Sequence, residues 1–462
     1  MTLPALRHWQ RQCIEAASVH FLSTPHFLCQ ATPGAGKTRL AAALASYLFD
    51  KKKIDLVLCF APSCQVVEGF RTTFADVLGK RIDGFVGAVG GAYTYQAMEH
   101  RDETFWQLFD EYRVFVVFDE IHHCAGHDSL LSNAWGQQIL QRIQDRAAYT
   151  LALSGTPWRS DDLPIALARY SSPEGELICD YRYGLQEAII DGVCRSPRIV
   201  LLDNQKVQLT ETTENESAVK LFPSIAALLG ESPITYEDLL RHNDVMQQIL
   251  GLGCEKLDEV RLSKPDAAGL VIATDIEHAY QIALTLEARG ETCHVVTNKT
   301  SGAQQVINLF RHSDCRWIVA VGMISEGTDI PRLQVCCYLT RIRTELHYRQ
   351  VLGRVLRRIG KSDDHAWLFM LAEPTLRRFA KRTAEDLPDD LAVLTQIENF
   401  SSKSHRQFGD MGIKKRDHDV PCVKYGSLES DFLIAYCESS REAQPYYQVN
   451  FSNHYRQVLL GL

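Results

Sequence analysis

Residues 31–38 read Ala-Thr-Pro-Gly-Ala-Gly-Lys-Thr and lie between an apolar run, Phe27 to Cys29, and an alanine-rich stretch that begins at Leu40. No other feature constrains the fold of this chain as tightly, because it demands a strand, a glycine-rich turn and a helix in that order. Such a turn lays successive backbone N–H groups around a nest at a helix N-terminus, which suits the phosphates of a nucleoside triphosphate such as ATP. Thr32, Pro33, Gly34, Ala35, Gly36 and Arg39 would line the turn, Lys37 would reach the β- and γ-phosphates, and the Thr38 hydroxyl would hold Mg²⁺. Ala31 stands where the strict pattern has its first glycine.

A second element belongs with the first. Val114-Phe-Val-Val-Phe118 is an unbroken apolar run suited to a buried parallel strand, and it delivers Asp119-Glu120-Ile121-His122 at its C-terminal end. Open α/β sheets bind their ligands at that end. Asp119 is expected to bind the Mg²⁺, and Glu120 to polarise the water that attacks the γ-phosphate.

Asp119-Glu120-Ile121-His122 resembles the DExH box of superfamily 2 helicases and translocases, whose phosphate loop typically begins with alanine, as Ala31 does. Further segments follow in that family's order from residue 6 to 358. Leu6-Arg7-His8-Trp9-Gln10 resembles the adenine-reading segment, which implies nucleotide contacts from Arg7 and Gln10. Ala61-Pro62-Ser63 resembles motif Ia, Tyr93-Thr94-Tyr95-Gln96 the Ib region, and Thr274-Asp275 motif IV. The resemblance implies nucleic-acid contacts from Pro62, Ser63, Tyr95, Gln96 and Thr274. Ser154-Gly155-Thr156-Pro157-Trp158-Arg159 is similar to motif III, so Ser154 and Thr156, with His122, would couple hydrolysis to strand movement. Gly322 to Pro331 resembles motif V, implying that Gly327 and Asp329 meet the nucleotide. Gln350-Val-Leu-Gly353-Arg354-Val-Leu-Arg357 matches the motif VI pattern. The spacing of Gln350, Gly353, Arg354 and Arg357 predicts one helix face, from which both guanidinium groups address a single cleft. A planar cation over the γ-phosphate is what phosphoryl transfer requires. Lys37, Asp119, Glu120, Gln350, Arg354 and Arg357 are therefore the expected catalytic set.

The resemblance implies an α/β fold of two tandem RecA-like parallel-sheet lobes, with the ATP and nucleic-acid sites at the cleft between them. A chain of 462 residues suits two such lobes plus connections. The first lobe is expected over 1–197, with strands near Phe27, Leu56, Val114 and Leu151. The second is expected over 269–374, with strands at Leu270 to Ala273, Cys293 to Thr297, Trp317 to Val321, Val335 to Leu339 and Ala366 to Met370. Between them, 198–268 reads as a linker or helical insertion. Its polar run Thr210 to Ser217 reads as a loop, and Tyr236 to Arg261 as one or two amphipathic helices. The C-terminal segment 375–462 reads as a mixed accessory region.

Fourteen cysteines without any C-x-x-C pair read as buried free thiols of a reducing compartment. His122-His123-Cys124 with His127 lacks the repeated spacing of a zinc finger, and His122 already belongs to the helicase box. No apolar stretch approaches the twenty or so residues of a membrane helix, and the N-terminus lacks a basic-then-apolar leader, so a cytoplasmic protein without a membrane partner is expected. The net charge of −8 predicts modest non-specific affinity for nucleic acid rather than its absence, since a backbone can be gripped by N–H groups, hydroxyls and a few cations.

Within superfamily 2, Ser154 to Arg159 and Glu326 to Pro331 look like the prokaryotic branch related to the motor subunits of type III restriction enzymes (ResIII-like). That branch implies a DNA helicase or translocase serving phage defence, restriction or repair. A carboxylate-lysine nuclease set is not visible, so cutting would need a nuclease or effector partner. An RNA helicase and a nucleotide-gated clamp that recruits such an effector are the alternatives, separated by which nucleic acid stimulates hydrolysis and by whether a strand is displaced.

Overall fold

Val114–Asp119 forms a strand in which every residue is buried, as its unbroken apolar run predicts for the centre of a parallel sheet. The computed structural model describes residues 6–126, 133–157, 163–212, 217–322, 330–358, 365–387, 394–400, 446–452 and 455–460. Among these, the first sheet runs in the order Gly90–Thr94, Leu56–Ala61, Val114–Asp119, Tyr149–Ser154, His26–Ala31, Tyr181–Tyr183, with all neighbours parallel. Parallel neighbours need crossovers, and the Lys37–Asp50 and Cys64–Leu78 helices provide two of them. The alanines of the first helix let it lie close to the sheet, and Leu40 to Ala45 are all buried.

The second sheet runs Cys293–Val296, Trp317–Ala320, Ala268–Ala273, Leu333–Leu339, His365–Leu371, Ser196–Asn204, again in parallel. Tyr455–Leu460 then adds antiparallel to Ser196–Asn204, with Leu394–Phe400 beyond it. Two tandem parallel-sheet lobes are thus present, and the strands expected in each are found.

The organisation around them differs from expectation in three places. Ser196–Asn204 lies at the expected start of the linker, yet it is an integral strand of the second sheet, paired from His365↔Ser196 to Leu371↔Leu202. Its run Ile199 to Leu202 is wholly buried, and the strands on either side supply the partners that its backbone N–H and C=O groups need. Tyr236 to Arg261 does form two helices, Tyr236–Arg241 and Asn243–Ser263, but the second buries Val245, Ile249, Leu250 and Leu257 and is part of the lobe's core rather than an insertion. The polar run expected as a loop is strand at its two described ends, since Val207–Thr212 pairs antiparallel with Ser217–Phe222 and Tyr446–Phe451 completes a three-stranded sheet, while 213–216 lie outside the described residues. Val207 and Leu209, with Gln208 between them, alternate inward and lead the first of these strands into the polar run.

Trp317 shows how closely the second lobe is packed. Its buried ring faces Gly269 in register on the next strand, and on the helix side Gly253 leaves room for it, since a Cβ there would lie 3.2 Å from the indole and 2.6 Å from Cys337 Sγ. A methyl group at Gly269 would overlap the indole. Gly269→Ala is expected to cost about 1–3 kcal/mol, the usual range for overpacking. Urea unfolding measures this, and an unchanged midpoint would mean that the ring has room to move. No described helix is long and apolar enough to cross a membrane.

Candidate active site

The His26–Ala31 strand ends at the glycine-rich turn, and the Lys37–Asp50 helix starts directly after it. Gly36 caps that helix at φ 92°, in the left-handed region that a side chain would resist, which is why glycine precedes the lysine. The first helical N–H groups, those of Lys37, Thr38 and Arg39, are therefore directed into the turn. Lys37 and Thr38 are half-buried and Arg39 is exposed.

Asp119 closes the Val114–Asp119 strand and is buried, and its Oδ1 has no hydrogen-bond partner among the described residues. Burial, reinforced by the neighbouring Glu120 charge, holds its carboxyl well above the usual carboxylate range. Glu120 follows at φ 50°, ψ 52°, an uncommon conformation for a glutamate and one that costs on the order of 1–3 kcal/mol. Burial pushes its carboxyl up as well, but Lys37 and then His122 outweigh that and hold it below its ordinary value. Lys37 Nζ lies 3.2 Å from Glu120 Oε1 and donates to the Ala31 carbonyl at 3.3 Å. The Gly155 N–H donates to Glu120 Oε2 at 3.3 Å, and the Ser154 hydroxyl lies 3.5 Å from the same oxygen. His122 Nδ1 meets Ser154 Oγ at 2.9 Å, and the Thr156 N–H donates to that oxygen at 3.1 Å. The three residues expected to couple hydrolysis to movement therefore share one hydroxyl, next to the carboxylate that would activate water.

Arg7 and Gln10 brace the turn. Arg7 Nη1 donates to the Ala35 carbonyl at 2.7 Å and Gln10 Nε2 to the Gly36 carbonyl at 3.0 Å, while Gln10 Oε1 accepts from the Arg7 N–H at 2.9 Å. Gln10 thus engages the turn through both the oxygen and the nitrogen of its amide, each of which keeps a further hydrogen-bonding position. Trp9 between them stacks on Tyr183 with ring centroids 4.6 Å apart, and the Tyr183 carbonyl accepts from the Thr32 N–H at 3.0 Å. The short Tyr181–Tyr183 strand, which carried no sequence signal, thereby supports the turn from its outer side.

The second lobe closes on the same turn. The helix carrying Gln350 and Arg354 spans Glu345–Val355, so Arg357 lies beyond its end, against the expectation of one continuous face. A backbone bridge to Cys194 positions Arg357 instead. Its Cγ would lie 3.3 Å from a Cβ on Gly34, and Pro33 would lie 2.7 Å from a Cβ on Gly353. Cys194 Sγ is 3.5 Å from the Pro33 carbonyl. Beside this contact opens a cleft of about 920 Å³, lined by Thr32, Pro33, Gly155 and Thr156 of the first lobe and by Leu352 and Gly353 of the second. Gly327 and Asp329 lie outside the described residues, as do Trp158 and Arg159.

Sequence reasoning missed Arg195. Its guanidinium is buried and donates to the carbonyls of Leu333 at 2.5 Å, Val355 at 2.7 Å and Pro331 at 3.0 Å. One side chain in the connection between lobes thus ties the end of the motif V segment to the end of the motif VI helix. Arg195→Ala is expected to destabilise the protein by about 2–4 kcal/mol, because buried carbonyls would lose their donors. The measurement is the denaturant midpoint, and a change under 0.5 kcal/mol, the ~0.5 kcal/mol typical of surface substitutions, would refute the brace.

The expected nucleic-acid residues divide into two groups. Pro62 and Ser63 are half-buried at the end of the Leu56–Ala61 strand, Gln96 is exposed one strand over, and Thr274 is half-buried at the end of Ala268–Ala273. Ser63 caps the Cys64–Leu78 helix, its hydroxyl accepting from the Val66 N–H at 3.4 Å. Tyr95 does not belong with them. It is wholly buried, stacks on Trp135 at 5.4 Å and donates its hydroxyl to the Asp119 carbonyl at 2.8 Å, so it anchors the Val114–Asp119 strand from within the core.

Residues 3–159 match the family model of the type III restriction enzyme res subunit, and residues 253–359 that of the helicase conserved C-terminal domain. An uncharacterized protein of Mycobacterium tuberculosis (strain ATCC 25618 / H37Rv) is 31% identical over 404 residues, covering 82% of this chain and 63% of that protein. One from Mycobacterium leprae is 29% identical over 428 residues, covering 88% and 66%. The chain thus spans somewhat under two thirds of the length of these relatives. The DNA 3'-5' translocase XPB2 of Sulfurisphaera tokodaii is 23% identical over 382 residues, covering 77% of this chain and 79% of its own. Among solved structures, a fragment described as the HsdR subunit of a type I restriction enzyme from Vibrio vulnificus superposes with a TM-score of 0.57 at 15% identity, covering 84% and 68% of the two chains. The DNA-bound Type ISP restriction-modification enzyme LlaBIII does so with 0.51 at 14% identity, covering 80% of this chain and 28% of its own. Two family matches in tandem, each on its own parallel-sheet lobe with the glycine-rich turn and DExH box in the first, give the chain the two domains of a superfamily 2 helicase, like those built on the type III restriction enzyme res subunit.

Proposed function

We propose that the chain hydrolyses ATP between its two lobes to move along or remodel a nucleic acid, with DNA as the substrate. The observation that carries this reading is the meeting of Lys37, Glu120 and the Ser154–His122 pair on one lobe with Arg357 of the other across the phosphate turn. The triphosphate would sit on the helix N-terminus and draw Lys37 away from Glu120, leaving that carboxylate to orient the attacking water. Asp119 and Thr38 would hold Mg²⁺, whose charge offsets that of the phosphates, and the unpartnered buried Oδ1 of Asp119 is the kind of oxygen a hard cation takes. Arg357, with Arg354 on the helix before it, would stabilise charge on the transferring phosphoryl group. Departure of phosphate would return Lys37 to Glu120 and loosen Arg357, changing the fit of the lobes and hence their grip on a strand.

The DNA preference is supported by the match to a DNA translocase over most of both chains and by the res-subunit model over the first lobe. A place in phage defence, restriction or repair, beside a nuclease or other effector, extends the same likeness. Steady-state ATP hydrolysis alone and with single-stranded, duplex and forked DNA and with RNA tests the reading, with Glu120→Gln as the blank. DNA-selective stimulation is expected. Stimulation by RNA alone would replace DNA by RNA, hydrolysis without displacement of a labelled strand or a bound obstacle would indicate a clamp, and an absence of hydrolysis under every condition would sink the proposal.

A further inference from the structure

The loop between the Leu333–Leu339 strand and the Glu345–Val355 helix carries Arg341 and Arg343 at the C-terminal rim of the second sheet. Neither belongs to a motif used above. The loop backbone is tied down at several points. The buried Tyr338 donates its hydroxyl to the Ile342 carbonyl at 2.7 Å, with His347 Nδ1 at 2.7 Å from the same hydroxyl. The Ile342 N–H donates to Thr340 Oγ1 at 3.4 Å, and Thr344 Oγ1 accepts from the His347 N–H at 3.4 Å. Thr274 donates its hydroxyl to the Leu339 carbonyl at 3.3 Å, which sets the loop beside the one second-lobe residue expected to touch nucleic acid.

The two arginines have unequal partners. Arg343 meets Glu373 at 3.0 Å and lies over the Tyr236 ring at 5.4 Å. Glu373 is 5% exposed and also caps the following helix, accepting from the Leu376 N–H at 2.9 Å, so Arg343 is held in place. Arg341 is 62% exposed and pairs at 3.2 Å with Glu237, itself 32% exposed. Glu237 also takes Arg241 at 3.2 Å, and Arg241 in turn meets Asp275. The Tyr236–Arg241 helix thus supplies one carboxylate shared by two guanidinium groups. An exposed ion pair of this kind is weak, and a stronger anion can take its place.

We propose that Arg341 and Arg343 form a phosphodiester-binding site on the rim of the second lobe, and that Glu237 stands in for the phosphate until a nucleic-acid backbone displaces it. A guanidinium fork matches the phosphate oxygens, and a loop already fixed at both ends loses little freedom on binding. The proposal rests on the reading of the chain as a nucleic-acid motor. If that reading holds, the second lobe grips the backbone through a cation that an acidic helix regulates. The competing account is a purely structural brace, in which the arginines serve only to hold the Tyr236–Arg241 helix against the sheet.

Fluorescence anisotropy of labelled single-stranded DNA, duplex DNA and single-stranded RNA, titrated with the full chain at several salt concentrations, separates the possibilities. If the wild-type chain binds none of them, the motor reading itself fails. Given wild-type binding, Arg341→Ala is expected to weaken it by about three- to tenfold and to reduce the slope of log K against log salt by about 0.7–0.9, one phosphate contact. Glu237→Gln is expected to tighten binding by about threefold, which a brace does not predict. Arg343→Lys keeps the charge beside Glu373 and should weaken binding by losing the fork, with the melting temperature followed as a check on folding. Unchanged affinity and salt slope in Arg341→Ala overturn the proposal, as does a fall in melting temperature with the slope unmoved. Loss of affinity on the DNA arm, the RNA arm or both supports it, because the two share the phosphodiester chemistry.

Discussion

Arg357→Ala is expected to lower ATP turnover by about 10³–10⁵, the range an arginine finger supplies, with nucleotide affinity changed only a few-fold. Arg357 comes from the second lobe, and its side chain packs against Gly34 of the phosphate turn. Its charge would therefore act on the transferring phosphoryl group only when the lobes are together. Arg357→Lys should recover a small part of the rate, since an ammonium keeps the charge without the planar fork. Single-turnover hydrolysis beside equilibrium binding of a fluorescent nucleotide separates the two effects. A large loss of affinity with little change in the chemical step would reassign Arg357 to holding ATP.

Glu120→Gln is expected to reduce turnover by about 10²–10⁴, the contribution of a positioned general base. The amide keeps the shape that accepts from the Gly155 N–H and faces the Ser154 hydroxyl, but it cannot take a proton or hold Lys37 as an ion pair. Because Lys37 must leave Glu120 to reach the phosphates, ATP binding by the variant should be at least as tight as in the wild type. The informative pattern is thus a falling kcat with a KM that is unchanged or lower. A variant that still turns over at more than a tenth of the wild-type rate would show that another group activates the water.

The parts of this fold written in local runs were legible from the sequence. Val114 to Phe118, Leu270 to Ala273 and Val335 to Leu339 are apolar stretches of strand length, and buried strands are what they become. The phosphate turn was equally legible, because glycine, lysine and threonine at fixed spacing are needed by a single local geometry. What depended on distant partners was not. Ile199 to Leu202 is as apolar as the other strands, but nothing nearby says that its partner begins at His365. Tyr95 sits where a nucleic-acid contact was expected and is buried because Trp135, forty residues on, stacks on it. Arg357 has helical spacing from Arg354, yet the helix stops at Val355 and a bridge to Cys194 sets its place. Arg195 offered no pattern at all, since its partners are backbone carbonyls brought together by the fold.

The central place of Ser196–Asn204 in the second sheet bears on how the protein emerges from the ribosome. The first sheet lies wholly within residues 26–183, so it can close while the remainder is still being translated. Ser196–Asn204 follows at once, but its parallel neighbour is His365–Leu371 and its antiparallel one Tyr455–Leu460. At about 5–20 residues per second, the strand waits on the order of ten seconds to a minute before both flanks can be covered. Both edges of this apolar segment stay open until His365–Leu371 emerges, and one of them until Tyr455–Leu460 does. The nascent chain should be most vulnerable to misassembly there, and a chaperone that shields that strand would act late in synthesis, after the phosphate turn has already formed.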